Sequence, residues 1–316
     1  MKPLFRIALA FALAGCGATP TCGGNAKPRA LGTPPGENVR RDVCTPCASP
    51  LRTGAVASDA LHEISGLAAS SRHPDILYVH NDKGDSARLF AIDKSGADRG
   101  TFLLQGAQNV DWEDLAAAPC RRTTEDASSC LFVADTGDNK ERRSEYVIYR
   151  AEEPAAVTPG EHALAAEAFP FRYPDGPHDA ETLLVHPLTG VLTIVTKVRK
   201  KKLGAAAVYE LPLPLTAGTV VTLRKVGEIV VPGSGARLTG GAVHPRATRV
   251  LLRDHTTVFR FDMRPEQSVA EALLGAACTS PVDAEKGEAI GFLPSGDGYL
   301  TVSEGVHPVI YQVNCD

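Results

Sequence analysis

Short apolar runs rich in Ile, Val, Leu, Tyr and Phe alternate along the chain with breaks rich in Gly, Pro, Asn and Asp. Such runs, bounded by turn residues, read as strands joined by tight turns. One phrase returns, in which a polar residue heads a short apolar strand. It reads His62-Glu63-Ile64-Ser65-Gly66-Leu67, Asp111-Trp112-Glu113-Asp114-Leu115-Ala116, Asp179-Ala180-Glu181-Thr182-Leu183-Leu184, Arg237-Leu238-Thr239-Gly240-Gly241-Ala242 and Lys286-Gly287-Glu288-Ala289-Ile290-Gly291. Aligned on Ser65, Glu113, Glu181, Thr239 and Glu288, the steps are 48, 68, 58 and 49 residues. A recurrence of about 40–50 residues with several strands per unit predicts a β-propeller, and loop insertions absorb the longer steps.

The expected fold class is therefore all-β, a propeller of five blades with four antiparallel strands each. Blade one takes strands at 64–69, 76–80, 88–93 and 101–104, and blade two at 112–117, 130–135, 146–150 and 165–172. Blade three follows at 180–186, 191–196, 206–211 and 219–231. Blade four has 239–244, 249–253, 258–262 and an outer run near 269–277, where 268–276 also reads as a short helix. Blade five has only 287–293, 299–303 and 309–313, so its outer strand is expected from 51–58 at the start of the domain. Closure by both ends leaves no open sheet edge. A sixth blade stays open within the long step from Glu113 to Glu181, whereas two stacked sandwiches would leave the repeat unexplained.

Composition agrees with this picture: 29 Gly and 23 Pro imply many turns, and a net charge of −4 offers no basic surface for nucleic acid. Residues 1–6 are basic and 7–14 apolar, the two parts of an export signal over 1–15. Its end, Leu13-Ala14-Gly15-Cys16, resembles the bacterial lipobox. That resemblance implies a lipid on Cys16, membrane attachment through that lipid only and, with Gly17 rather than Asp following, the outer membrane. Residues 16–50 read as a Pro- and Gly-rich tether, and 51–316 as the propeller domain.

The chain has eight cysteines, which suits an oxidising compartment, and lipidation of Cys16 leaves an odd number. Cys44-Thr45-Pro46-Cys47 has dithiol spacing without a thioredoxin-like context, so a local disulfide is expected. Cys120 and Cys130 flank a loop and predict a hairpin staple. Cys278 and Cys315 would tie the chain end to the preceding blade.

The first strand of each blade lines the channel, so Ser65, Glu113, Glu181, Thr239 and Glu288 are expected to converge on the axis. Glu63 competes with Ser65 for the place in blade one. Carboxylates alone in such a channel repel, and a hard cation resolves this. Calcium accepts oxygen ligands of these kinds, whereas the lack of His or Cys argues against zinc. In the alternative the acids merely hydrogen-bond strand ends or stay protonated. Polar ends of the second strands would crowd the same mouth: His80-Asn81-Asp82, Asp135-Thr136-Gly137-Asp138-Asn139, Thr196-Lys197, Arg253-Asp254 and Ser303-Glu304. Asp82 or Asp135 would serve as base, and Lys197 and Arg253 would neutralise phosphate. Turn chemistry accounts for the same residues, and 135–139 reads better as a hairpin cap than as a second calcium loop. The rest of the basic run 197–202 reads as a solvated hairpin tip.

The set Glu63-Ile64-Ser65, Glu113-x-Leu115-Ala116, Glu181, Thr239 and Glu288-x-Ile290-x-Phe292 resembles the five-bladed calcium-activated nucleotidases, or apyrases, over about residues 61–316. The resemblance implies a calcium ion ringed by Ser65, Glu113, Glu181, Thr239 and Glu288, with Thr239 standing where the family has Ser. It also implies a nucleotide-binding funnel near Asp82 and Lys197. The segments that bind nucleotide in that family have no match here. A broader likeness runs to secreted bacterial propellers and to phytase-like and esterase-like ones.

Two functions follow. The first is a calcium-dependent phosphohydrolase of the cell envelope, acting as a monomer on a small phosphorylated molecule. The second is a non-catalytic propeller with structural calcium that binds an envelope or surface ligand. A serine hydrolase is disfavoured, because Ser65-Gly66 and Ser234-Gly235 lack a nucleophile elbow.

Overall fold

The computed structural model describes residues 44, 46–120, 128–199, 204–233, 235–281 and 287–315. The expected export signal, Cys16 and the tether up to residue 43 lie outside these residues, as do 121–127, 200–202 and Ser234. Strand β1 (Leu51–Ala55) comes first, followed by the meander β2 (Ile64–Ala69), β3 (Ile76–Asn81), β4 (Arg88–Asp93) and β5 (Asp98–Gln105). A second meander is β6 (Trp112–Pro119), β7 (Ser129–Asp135), β8 (Tyr146–Glu152) and β9 (Glu161–Arg172). The third holds β10 (Ala180–Val185), β11 (Leu192–Thr196), β12 (Ala206–Glu210) and, after the two-residue β13 (Val221–Thr222), β14 (Arg224–Ile229). The fourth is β15 (Gly240–Val243), β16 (Arg249–Arg253), β17 (Thr257–Asp262), the helix α1 (Val269–Leu273) and β18 (Ala277–Pro281). The last has β19 (Gly287–Phe292), β20 (Gly298–Ser303) and β21 (Val309–Asn314), and β1 pairs with β21 as its outer strand.

Among the described residues, then, the strands form five four-stranded antiparallel meanders, of which the first two are joined edge to edge into one larger sheet and the other three are separate sheets. Their first strands neighbour one another in a closed cycle, β2 to β6, β6 to β10, β10 to β15, β15 to β19 and β19 back to β2. The core falls into five apolar wedges, one between each pair of adjacent sheets. Inner and middle strands such as β10, β11 and β12 are buried on both faces, which is why they read as unbroken apolar runs. The outer β9 begins with a strict alternation of exposed and half-buried residues, as expected for one solvated face. β9 also pairs in parallel with β5, stitching the rims of the first two sheets together.

Two details differ from the sequence reading. The outer strand of the fourth sheet is Ala277–Pro281. Ahead of it, Ser268 and Glu271 form a reciprocal capping box that starts α1, so the helical alternative holds there. The cysteines also pair otherwise: Cys44 with Cys278 and Cys47 with Cys315, while Cys120–Cys130 is the expected hairpin staple. The segment before β1 runs against the end of β21, with the Ala48 N–H donating to Asn314 O at 2.8 Å. Extended there, it presents its two cysteines to different neighbours rather than to each other.

Loop entropy separates these staples. The long-range bridges close 234 and 268 residues and the hairpin bridge closes 10. With Cys44–Cys278 intact, removing Cys47–Cys315 by Cys→Ser pairs opens a loop of only about 40 residues and is expected to cost about 4 kcal/mol, against about 3 kcal/mol for Cys120–Cys130. Equal losses in chemical unfolding would contradict that ranking.

Candidate metal centre

Four of the five aligned ring residues occupy the same backbone irregularity. Ile64 pairs with Asn81 and Gly66 with His80, leaving Ser65 as the extra residue of a bulge. Glu113, Glu181 and Glu288 sit in equivalent register shifts of β6, β10 and β19. A bulge re-aims its side chain and bends the strand, which turns these heads towards the axis. Thr239 immediately precedes β15, and its N–H donates to Arg253 O at 2.9 Å. All five residues are buried, whereas Glu63 is exposed, so Ser65 is the contributor from the first sheet.

Carboxylate oxygens of Asp82, Asp111 and Glu113 lie within 4.8 Å of one another, as do those of Glu113, Asp179 and Glu181. Glu113 belongs to both groups. Ser65 Oγ donates to Glu113 O at 2.7 Å and lies 3.5 Å from Glu113 Oε2, bracing the shared carboxylate. Gly137 lets a backbone turn press against this site, since a Cβ there would meet Glu113 Oε1 at 2.1 Å. Asp111 and Asp179 were not among the ring residues expected. Their signal is the D-x-E spacing in Asp111-Trp112-Glu113 and Asp179-Ala180-Glu181, which repeats at the same head position.

Lys197 Nζ donates to both carboxylate oxygens of Glu181. Lys83 Nζ bridges Asp82 at 3.1 Å and Asp111 at 3.2 Å. Five carboxyls therefore share two ammonium groups in this mouth. Burial pushes the Glu113 carboxyl well above its ordinary range, and the charges of Glu181, Asp82, Asp111 and Asp179 push it further. Burial likewise raises Asp111 to about 6, and Glu181 to about 7 against the pull of Lys197. Asp179 is raised by burial as well.

Glu288 stands outside the two groups. Its carboxyl is raised to about 8 by burial and by Glu181, and His255 Nδ1 lies 3.3 Å from its Oε1. Thr239 Oγ1 donates to Gly287 O at 3.2 Å. Of the four residues expected to react, Asp82 and Lys197 join the cluster. Asp135 is turned away: it pairs with Arg143 at 2.8 Å and accepts from the N–H groups of Val110 and Asp111, fixing the segment that carries Asp111. Arg253 is fully buried, donating to Ala289 O at 2.9 Å and Asp254 O at 3.2 Å. Its Nη2 occupies the space a Cβ on Gly287 would fill, at 1.6 Å. Asp138 accepts from the N–H groups of Arg142 and Arg143 and from the Tyr146 hydroxyl, the hairpin cap expected of 135–139.

A further carboxylate, Asp114, was not singled out from the sequence. It is fully buried and accepts from Leu115 N–H at 2.9 Å, Leu183 N–H at 2.8 Å and Gly241 N–H at 3.3 Å. One side chain thus ties β6, β10 and β15 together just below the ring.

The raised carboxyls set a pH dependence. In the metal-free protein Glu181 and Glu288 hold their protons to about 7 and 8, against an ordinary value of 4.5. The fold binds more protons than the unfolded chain, so their contribution is complete below about pH 4.5 and is lost as pH rises through about 8. Melting in chelator is expected at a lower temperature at pH 8 than at pH 5; a higher one would refute this.

No protein-family model matches the chain, and no curated protein matches it. Among solved structures it is similar to a gluconolactonase from Xanthomonas campestris, at 12% identity over 86% of this chain and 96% of that one, with a TM-score of 0.44. The fold is an all-β propeller, and a group of acidic side chains at its mouth is able to hold a metal ion.

Proposed function

We propose that the protein is a calcium-binding propeller lipoprotein of the bacterial cell envelope, monomeric and anchored through Cys16. In this reading its acidic mouth hydrolyses a phosphoester or phosphoanhydride. The observation that supports the metal is the pair of carboxylate groups sharing Glu113, in which acids outnumber ammonium groups. All the donors are hard oxygens, the chemistry calcium prefers, and the ion would offset the charge that burial resists. The resemblance of the ring to the calcium-activated nucleotidases points the same way.

Bound calcium would polarise a phosphoryl oxygen and help orient the attacking water. The chain supplies the rest. Lys197 and Lys83 stand at the same mouth and hold phosphate oxygens by charge. Asp82, with a side chain 19% exposed, accepts the proton of the attacking water. Asp135 and Arg253 support this mouth without touching the substrate. The test is phosphate release from nucleoside di- and triphosphates and from phytate, with calcium or chelator. Asp82→Asn is expected to lower kcat about 100-fold while calcium still raises the melting temperature.

A second reading, a non-catalytic propeller with structural calcium, is favoured by the ammonium of Lys197 being committed to Glu181. Calcium-dependent melting without phosphate release from any of these substrates would select it.

A further inference from the structure

Each inner strand starts at the acidic ring and ends at a second site. Below Asp114 the channel widens into a cavity of about 540 Å³, bounded by the C-terminal halves of all five inner strands. It is wide because these strands carry small residues there, among them Ala69, Ala117, Ala242 and Gly291. Four of the five strands run out at its rim into Pro119, Pro187, Pro245 and Pro294. Proline has no N–H, so at these rim positions the backbone offers no donor to water or to a polar ligand. Among the described residues, no Asp, Glu, Lys, Arg or His lines the cavity. Its polar spot is at one side, where Ser71 and Ser129 are hydrogen-bonded at 2.7 Å. Behind them stands the buried Glu153, whose Oε2 accepts from Ser71 at 3.2 Å.

We propose that this well binds a neutral amphiphile, an alkyl or acyl chain with one uncharged hydroxyl or ester end. The volume falls within the range of small-molecule sites, and apolar cavities of this kind take apolar guests rather than water. Leu67, Leu115, Val243 and Phe292 furnish the apolar wall. The serine pair receives the polar end by hydrogen bonding. The carboxylate of Glu153 beside that pair disfavours an anionic head such as a free fatty acid. No described residue of the acidic mouth lines the well, so the two ends of the channel serve different ligands, and this site does not depend on the metal reading.

The test uses the full chain with its disulfides intact and the neutral fluorophore N-phenyl-1-naphthylamine. Saturable binding of one probe per chain is expected, with displacement by 1-decanol at least tenfold more effective than by decanoate. Ala117→Phe and Val243→Phe, which fill the well from opposite walls, should each weaken binding at least tenfold while keeping the wild-type melting temperature within a few degrees. Glu113→Gln, at the other end of the channel, should leave probe binding unchanged. No saturable binding to the wild-type chain overturns the proposal, as does wild-type affinity retained in both filled variants. Decanoate displacing as well as decanol overturns the assignment of the polar end.

Discussion

Asp114→Ala is expected to lower the melting temperature more than any other single change at the channel. The carboxylate accepts from three backbone N–H groups, on Leu115, Leu183 and Gly241, and is itself fully buried. Each donor left unpaired costs about 1–3 kcal/mol, so the sum is about 3–9 kcal/mol. In a domain of this size that corresponds to a fall of roughly 6–18 °C. An opposing effect exists, because burial holds the Asp114 carboxyl well above its ordinary range and its removal relieves that cost. Asp114→Asn separates the two: it removes the charge, keeps one oxygen acceptor and should lose markedly less than alanine. If alanine and asparagine melt alike, near wild type, the three hydrogen bonds contribute nothing net.

The second large effect concerns Glu113, and its direction depends on calcium. Without metal, Glu113→Gln removes the carboxyl that sits in both acid groups, whose charge is opposed by burial and by four neighbouring acids. The variant should therefore melt at or above the wild-type temperature in chelator. With calcium at about 100 times its dissociation constant, the wild type gains about 2.7 kcal/mol, or roughly 5 °C, and the variant gains almost none. The two melting curves then cross on adding calcium. A variant that is merely misfolded would melt low in both conditions. A wild type that ignores calcium would mean that Lys83, Lys197 and retained protons already balance the mouth.

How much of this was legible in the chain depends on what each feature leaves in one dimension. The cycle of inner strands was legible because five equivalent strands repeat a polar head, and of the five head residues Glu113 and Glu181 fall within the carboxylate groups. The N-terminal outer strand was legible because the last sheet was one strand short. The bulges at Ser65, Glu113, Glu181 and Glu288 were not, since an extra residue leaves the apolar run unchanged and only the pairing partner reveals it. Asp111 and Asp179 lay in plain view as D-x-E, yet a strand head bent by a bulge does not follow simple alternation. Arg253 read as a polar strand end and Asp114 was not singled out, because a buried charge is recognised only by the backbone groups that satisfy it. The pairing of Cys44 with Cys278 and Cys47 with Cys315 joins positions far apart in the chain, and no spacing rule encodes such a meeting.

Those two bridges also decide where a mechanical pull would travel. Tension on the chain ahead of Cys44 enters β18 through Cys278, and any remainder enters the end of β21 through Cys315. Cys44 and Cys47 both lie upstream of β1, the strand that closes the ring by pairing with β21. Force therefore reaches covalent anchors before it reaches the zipper, and β1 cannot be peeled from its N-terminal side while the sulfurs hold. A propeller closed by hydrogen bonds alone would open like a ring-pull under the same tug. Stretched from its N-terminus, this one yields only after reduction, so its resistance to shear is set by the redox state of its surroundings.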